Sequence, residues 1–228
     1  MTKQGFFVVF LLIISIALLY GQQEIYTAER YMEMVSERYS SVRDYEANIE
    51  IRSGNNTMSG TVSHLSPTFL RIDFTRPAEQ VIVFNGEALT IYLPEFRSVL
   101  NQNVAASRRG NAAASAGMAS AQGLSMLRRN YVPSFVTGPN PEPLDGGGER
   151  VVRLRLTRRT TSEGFREIIL SINAETRLIR RIEGTTIAGG EIRFDFTNIR
   201  TNVGIPIQRF AYDFPPNASM YNNFLFRD

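Results

Sequence analysis

The tightest constraint on this chain is the stretch Ser66 to Gln102, where apolar and polar side chains alternate between turn signals. Leu70, Ile72 and Phe74 alternate with Arg71 and Asp73, the two-residue period of a strand with one face in the core and one in water. Arg76-Pro77 ends that run, because proline offers no amide and restricts the residue before it. Gln80 to Phe84 resumes it. Asn85-Gly86 is the strongest short hairpin signal, since both residues tolerate positive φ. Ala88 to Leu93 returns from the turn, Pro94 closes it, and Arg97 to Gln102 begins again. The stretch therefore predicts an antiparallel meander with one apolar face.

The same pattern recurs on both sides. Tyr45, Ala47, Ile49 and Ile51 alternate with Glu46, Asn48, Glu50 and Arg52, then Gly54-Asn55-Asn56 turns into a weaker strand over Thr57 to His64. Gly138 to Gly148 reads as a surface loop. After it, Val152, Leu154 and Leu156 alternate with Arg153, Arg155 and Thr157. Turns at Ser162-Glu163-Gly164, Asn173 to Thr176 and Ala188-Gly189-Gly190 separate Phe165 to Ile172, Arg177 to Gly184, and the strand carrying Ile192, Phe194 and Phe196. Tyr131 to Val136 fits a short strand or a turn, and Pro206 to Phe214 reads as a last strand stopped by Pro215-Pro216. The apolar tail Ser219 to Phe226 is expected to dock. Strands at 8 to 12 residue spacing imply a barrel or sandwich.

Helix is expected in two places. Thr27 to Arg43 carries Ala28, Tyr31, Met32, Val35, Tyr39 and Val42 at three- and four-residue spacing, with Thr27 as cap and Glu29 at the positive end of the helix dipole. Asn103 to Leu127 is different: 15 of its 25 residues are Ala, Gly or Ser. Alanine favours helix, while Gly110, Gly117 and Gly123 each cost about 1 kcal/mol in a helix interior. The segment is either a loose loop or a marginal lid whose Met and Leu side chains meet a ligand.

Composition removes several chemistries. The 228 residues hold no cysteine and one histidine, His64. Disulfides, zinc–thiolate sites, thiol nucleophiles, a Ser-His-Asp triad and a multi-histidine metal site are therefore excluded, and a lone strand histidine is expected at the surface or half-buried. The acids are scattered, so no paired-carboxylate site is legible. The triple glycine Gly146 to Gly148 has no lysine after it and no strand–loop–helix setting for a phosphate. Of the 25 basic residues all but Lys3 are arginines, and they alternate with apolar residues along strands instead of clustering as a nucleic-acid footprint. No enzyme activity, cofactor, metal or nucleic-acid partner is expected.

The N-terminus, Lys3 followed by the apolar run Phe6 to Tyr20, is short for a membrane span and reads as a secretory signal over residues 1–21, with an uncleaved anchor as the alternative. Residues 22–228 would then form one exported domain.

The central stretch also resembles a known family, the periplasmic outer-membrane lipoprotein carriers called LolA. The matching residues are Ser66-Pro67 with Leu70-Arg71-Ile72, then Pro77, then VIVFNGEALTIYLP over Val81 to Pro94. The resemblance extends by element order and length from about Glu24 to Phe226. At Ser66 the family carries an arginine that ties its lid to the sheet, so any latch here must differ.

The resemblance implies a mainly β fold with helices (α+β): a single antiparallel incomplete β-barrel of about 10–11 strands under a helical lid over an apolar cavity. It implies a periplasmic, monomeric carrier that takes acylated lipoproteins from an inner-membrane lipoprotein-releasing transporter to an outer-membrane acceptor. Leu70 and Ile72 align with cavity positions of the family. Alternation adds Phe74, Ile91, Leu93, Phe194 and Phe196 to the expected acyl-chain lining, and Met118, Leu124 and Leu127 to the lid. The other readings are that these side chains fill a dry core, or that the fold serves an envelope sensor or a structural or interaction protein without transport.

Overall fold

The structure is a computed structural model that describes residues 26–103 and 117–224. The expected signal segment and residues 104–116 of the Ala/Gly/Ser-rich stretch lie outside these, as do Leu225 and Phe226 of the tail.

Helix α1 (Ala28–Ser40) opens the described chain, with Thr27 accepting a hydrogen bond from the Arg30 amide at 3.2 Å and Arg38 in the last turn. Six positions of the expected stripe, Ala28, Tyr31, Met32, Val35, Tyr39 and Val42, are all buried, and Met34 joins them. Each large side chain so buried contributes about 1.5–3 kcal/mol.

Strands β1 (Asp44–Ser53), β2 (Asn56–Leu65), β3 (Phe69–Arg76), β4 (Val81–Phe84), β5 (Ala88–Leu93) and β6 (Ser98–Asn103) form one antiparallel meander. Helix α2 (Ala121–Asn130) runs directly into β7 (Tyr131–Phe135). Then come β8 (Glu142–Pro143), β9 (Arg150–Arg158), β10 (Phe165–Asn173), β11 (Ile179–Thr186), β12 (Glu191–Thr201) and β13 (Ser219–Asn222). All described strands join one sheet in the order β13-β6-β5-β4-β3-β2-β1-β12-β11-β10-β9-β7, with β8 on β9. The two meanders meet where β1 pairs β12, Ile49 opposite Phe196 and Ile51 opposite Phe194. The sheet does not close: β7 and β13 are its free edges. This is the expected mainly β, open architecture with helices on one side, with 13 strands among the described residues.

Register carries one apolar face across nearly the whole sheet. Phe84, Leu70, His64, Tyr45, Ile49, Phe196, Ile182, Leu170, Leu154 and Phe135 lie on the concave side with α1 and α2. Curvature has a local cause at Gly60, where β2 bulges against β3; a Cβ there would stand 2.2 Å from the Asp73 carbonyl oxygen.

Several expectations need correction. Pro206 to Phe214 is not a strand. Ile207–Phe210 is a short 3-10 turn, and the segment crosses the convex face, where Phe210 joins Val81, Val83, Tyr92 and Val99 in a second core with Tyr212 and Phe214 beside it. The period of two is real, because an extended segment alternates with or without a ladder; here the Arg71 guanidinium holds it, donating to the Arg209 and Ala211 carbonyls at 3.1 Å. The loop 138–148 contains β8 and a 3-10 turn. The turn after β4 is centred one residue later than the Asn-Gly pair suggests. Only Gly86 has positive φ (92°), while the Asn85 side chain accepts from the amides of Glu87 and Ala88. The tail docks through its backbone, β13 pairing parallel with β6, yet Met220 and Tyr221 stay exposed.

Candidate functional site

The functional question is how full the concave side is. Leu70, Ile72, Phe74, Phe194 and Phe196 are each 7 % exposed or less, and they form one core with Met118, Leu124 and Leu127 and the buried stripe of α1. Beneath α1 the inner face is packed. Tyr39 reaches through that layer, its hydroxyl accepting the Ile179 amide at 3.0 Å, and Tyr31 meets the Phe135 ring edge-on at 6.1 Å. Burial pushes the phenol pKa of Tyr39 upward.

Two expected lining residues fall outside this core. Ile91 and Leu93 are half-buried on β5. Ile91 belongs to a row, Ile82–Ile91–Leu100–Tyr221, that crosses β4, β5, β6 and β13 on the concave face. Ile82, Ile91 and Leu100 are half-buried and Tyr221 is exposed, so the apolar face continues past the part that the helices cover.

Between these regions lies a cavity of about 160 Å³. The start of α2 and the residues before it, Gly117, Ser120, Gln122, Gly123 and Met126, face His64, Thr68, Leu70, Phe84 and Leu89 across it. Helix α2 is held by few groups. Ser120 caps it, accepting from the Gly123 amide at 3.1 Å; Leu124 and Leu127 are its buried residues; Arg128 approaches Glu33 of α1 at 3.7 Å on the surface. Gly123 is required by close approach, since a Cβ there would lie 2.2 Å from the Gly117 carbonyl oxygen. Ser66, where the family has its arginine, is exposed, and its amide donates to the Arg43 carbonyl at 2.7 Å. Nothing from that position reaches α2.

Of the expected lining only Leu70 borders this cavity; His64, Phe84, Leu89 and Met126 were missed. Phe84 and Leu89 had a signal, being register partners across the Asn85 hairpin. His64 stands two residues after the buried Val62 and so shares its face, and the expectation that it sits at the surface or half-buried is wrong. It is 5 % exposed, stacked 5.1 Å from the Tyr45 ring, and its Nδ1 has no hydrogen-bond partner. Burial holds the imidazole pKa down to about 4, against the pull of Asp44.

Over β11 and β12 the convex face is polar. Asp195 accepts from the Nε atoms of Arg181 and Arg193, both at 2.6 Å, and Arg181 also holds Asp145. Among the described residues, no group of three or more His, Cys, Asp or Glu could hold a metal, and no helix is long and apolar enough to cross a membrane.

No protein-family model matches the chain, and no curated protein is similar to it in sequence. Solved structures do resemble it. An uncharacterized conserved protein from Thermus thermophilus superposes with a TM-score of 0.55, over 84% of this chain and 98% of its own, at 11% identity. The Mycobacterium tuberculosis lipoprotein LppX gives 0.50 over 79% and 97%, at 9% identity. MucB gives 0.50 over 82% of this chain at 15% identity, and this chain spans 62% of MucB. Identities this low show the fold alone: an open antiparallel sheet with helices over its concave side.

Proposed function

We propose that this protein is a periplasmic carrier that binds the acyl chains of lipoproteins against its concave face and moves them between the two membranes of the envelope. One observation supports this most: the apolar face of the sheet runs on beyond its helical cover, from the cavity beside Leu70 and Phe84 to the half-buried row Ile82–Ile91–Leu100. Water contact with that row is unfavourable, and an acyl chain laid on it gains about 0.8 kcal/mol per buried methylene.

The cavity alone is too small for the cargo. At about 160 Å³ it falls short of the roughly 300 Å³ at which ligand pockets begin. A whole chain therefore needs α2 to lift. Its ten residues, with only Leu124 and Leu127 buried among them, make it the least anchored element over the sheet. The lid role of Met118, Leu124 and Leu127 belongs to this reading, as do the donor transporter, the outer-membrane acceptor and the cleaved signal.

A second reading has a specific observation behind it. The packed core beneath α1 suits a protein that recognises another protein with its surface, and MucB, which shares the fold, has been solved in complex with MucA. Organic extraction of the protein purified from its own envelope separates the two. Co-purified lipid or acylated peptide, together with uptake of a fluorescent fatty-acyl probe, is the expected result. A lipid-free protein that takes up no probe would reject the carrier reading in favour of the interaction protein.

A further inference from the structure

We propose that one end of the sheet is a membrane-contact rim: the tip of the β5–β6 hairpin, carrying Phe96, enters the interface of a bilayer that bears anionic phospholipid, and the inward side of β5 leads acyl chains from there toward the cavity under α2. The inference rests on the carrier reading and adds to it the place where cargo enters.

Strand direction fixes what stands at each end. The antiparallel ladders bring the last residues of β1, β3, β5, β9 and β11 to the same end of the sheet, where α2 also finishes as it runs into β7. Two turns at this end hold a large apolar side chain in water. Phe96, in the 3-10 turn Pro94–Phe96 between β5 and β6, is 68 % exposed, and Ile187, between β11 and β12, is 56 % exposed.

Single exposed apolar residues are ordinary on a protein surface. Phe96 is set apart by the strand that leads to it. Leu89, Ile91 and Leu93 share the inward side of β5. Leu89 is buried at the cavity, Ile91 and Leu93 are half-buried, and Phe96 follows in solvent. Apolar residues therefore run from the cavity to the hairpin tip with growing exposure. A filled core gains nothing from such a strip, whereas an acyl chain leaving a bilayer meets hydrocarbon along it instead of water.

Charge favours a bilayer with anionic lipid. The turns and helix ends on this side carry seven arginines against five glutamates, while those at the opposite end carry four arginines against seven acidic residues. Arg97, beside Phe96, is exposed, as are Arg76 and Arg159, and none of the three forms an ion pair among the described residues. An aromatic ring settles at headgroup depth, and a free guanidinium beside it pairs with lipid phosphate.

The chain has no tryptophan, so the emission of Phe96→Trp reads the tip alone. The mature protein and its variants are mixed with vesicles of phosphatidylcholine and phosphatidylglycerol in equal parts, and with vesicles of phosphatidylcholine only. Uptake of a fluorescent acyl probe is measured on the same proteins without vesicles. The mixed vesicles should shift the Phe96→Trp emission to the blue, and brominated acyl chains should quench it. Phe96→Ser should bind them about tenfold more weakly than the parent, the scale of one large apolar side chain returned to water. Phosphatidylcholine vesicles should bind the parent at least about fivefold more weakly, since the arginines lose their counter-charge. Val203→Ser, which removes an exposed apolar side chain at the opposite end, should change nothing. An unshifted Phe96→Trp emission, or Phe96→Ser binding as the parent does, overturns the inference, and acyl-probe uptake then judges the carrier reading on its own. Emission that shifts with polyglutamate but not with vesicles assigns the rim to an acidic protein and overturns it too. If the emission shifts with vesicles and the parent takes up no acyl probe, the membrane contact stands and the carrier reading falls.

Discussion

The imidazole of His64 lies 5.1 Å from the ring of Tyr45, 15° from parallel, on neighbouring strands whose register places the two residues directly opposite each other. That stack seals a titratable group inside the concave face, and it makes stability depend on pH.

The ring takes a proton near 6.5 when the chain is unfolded and only near 4 when it is folded. Between those values the unfolded state holds more protons, so stability is complete above pH 6.5 and falls as the pH drops toward 4. The span corresponds to a loss on the order of 3 kcal/mol. Carboxylates also titrate there, so the measurement is a difference: urea unfolding of the wild type and of His64→Phe at pH 7.5 and pH 4.5. The wild type should lose ground to the variant at the lower pH. An equal gap at both values would mean that the imidazole is not buried in its neutral form.

Tyr39→Phe tests how α1 is fixed to the sheet. The Tyr39 hydroxyl accepts the buried Ile179 amide at 3.0 Å. Removing it leaves that amide unpaired at a cost of about 1–3 kcal/mol. The urea midpoint should fall with the slope unchanged. A variant as stable as the parent would show that water replaces the hydroxyl.

On the convex face, burial should rank two carboxylates that share Arg181. Asp195 is 7 % exposed and bound by Arg181 and Arg193, whereas the Asp145 side chain is 64 % exposed. Asp195→Ala removes the buried partner of Arg181 and leaves it only the exposed Asp145, at an expected cost of about 3 kcal/mol. Asp145→Ala should cost less than about 1 kcal/mol, as solvent-screened pairs do. Thermal unfolding of both variants decides it; equal losses would break the ranking.

Much of this fold was legible because period-two patterning is a direct consequence of the pleat. Leu70, Ile72 and Phe74, or Tyr45, Ala47, Ile49 and Ile51, can alternate in a strand only with one side inward, and all seven are buried. The same logic misled at Phe210, Tyr212 and Phe214, since alternation reports an extended backbone, not a hydrogen-bonded neighbour. The cavity was mostly illegible. Whether Phe84 meets Met126 or leaves a gap depends on how closely α2 approaches the sheet, and that distance has no periodic signature. Parity with Val62 puts His64 on the inward face, but its depth of burial follows from β1 and β3 flanking β2, which only the assembled sheet reveals.

Gly123→Ala sets helix propensity against packing. Alanine in place of glycine inside a helix normally stabilises by about 1 kcal/mol. Here its Cβ would stand 2.2 Å from the Gly117 carbonyl oxygen and 2.7 Å from the Met118 Cα, both backbone atoms. The first turn of α2 and the Gly117–Met118 segment that leads into it must then separate. Amide exchange of Leu124 and Leu127 should accelerate, while exchange in β10 stays as it was. Slower exchange along α2 would show that propensity wins and that the contact with Gly117 relaxes freely.

Met126→Trp asks whether the space under α2 is used. Met126 is half-buried on α2 and borders the cavity opposite Phe84 and Leu89. An indole there occupies volume that is otherwise empty, so it adds contacts without forcing packed side chains apart, the usual cause of overpacking strain. Thermal stability should hold or rise. Affinity for a fluorescent acyl probe should fall at least about tenfold, because the ligand loses the space and its apolar wall. A tryptophan on the solvent-facing side of the same helix, Ser125→Trp, controls for the added ring, since Ser125 is exposed. If Met126→Trp binds the probe as the parent does, acyl chains lie elsewhere on the concave face, and the row Ile82–Ile91–Leu100 becomes the place to mutate next.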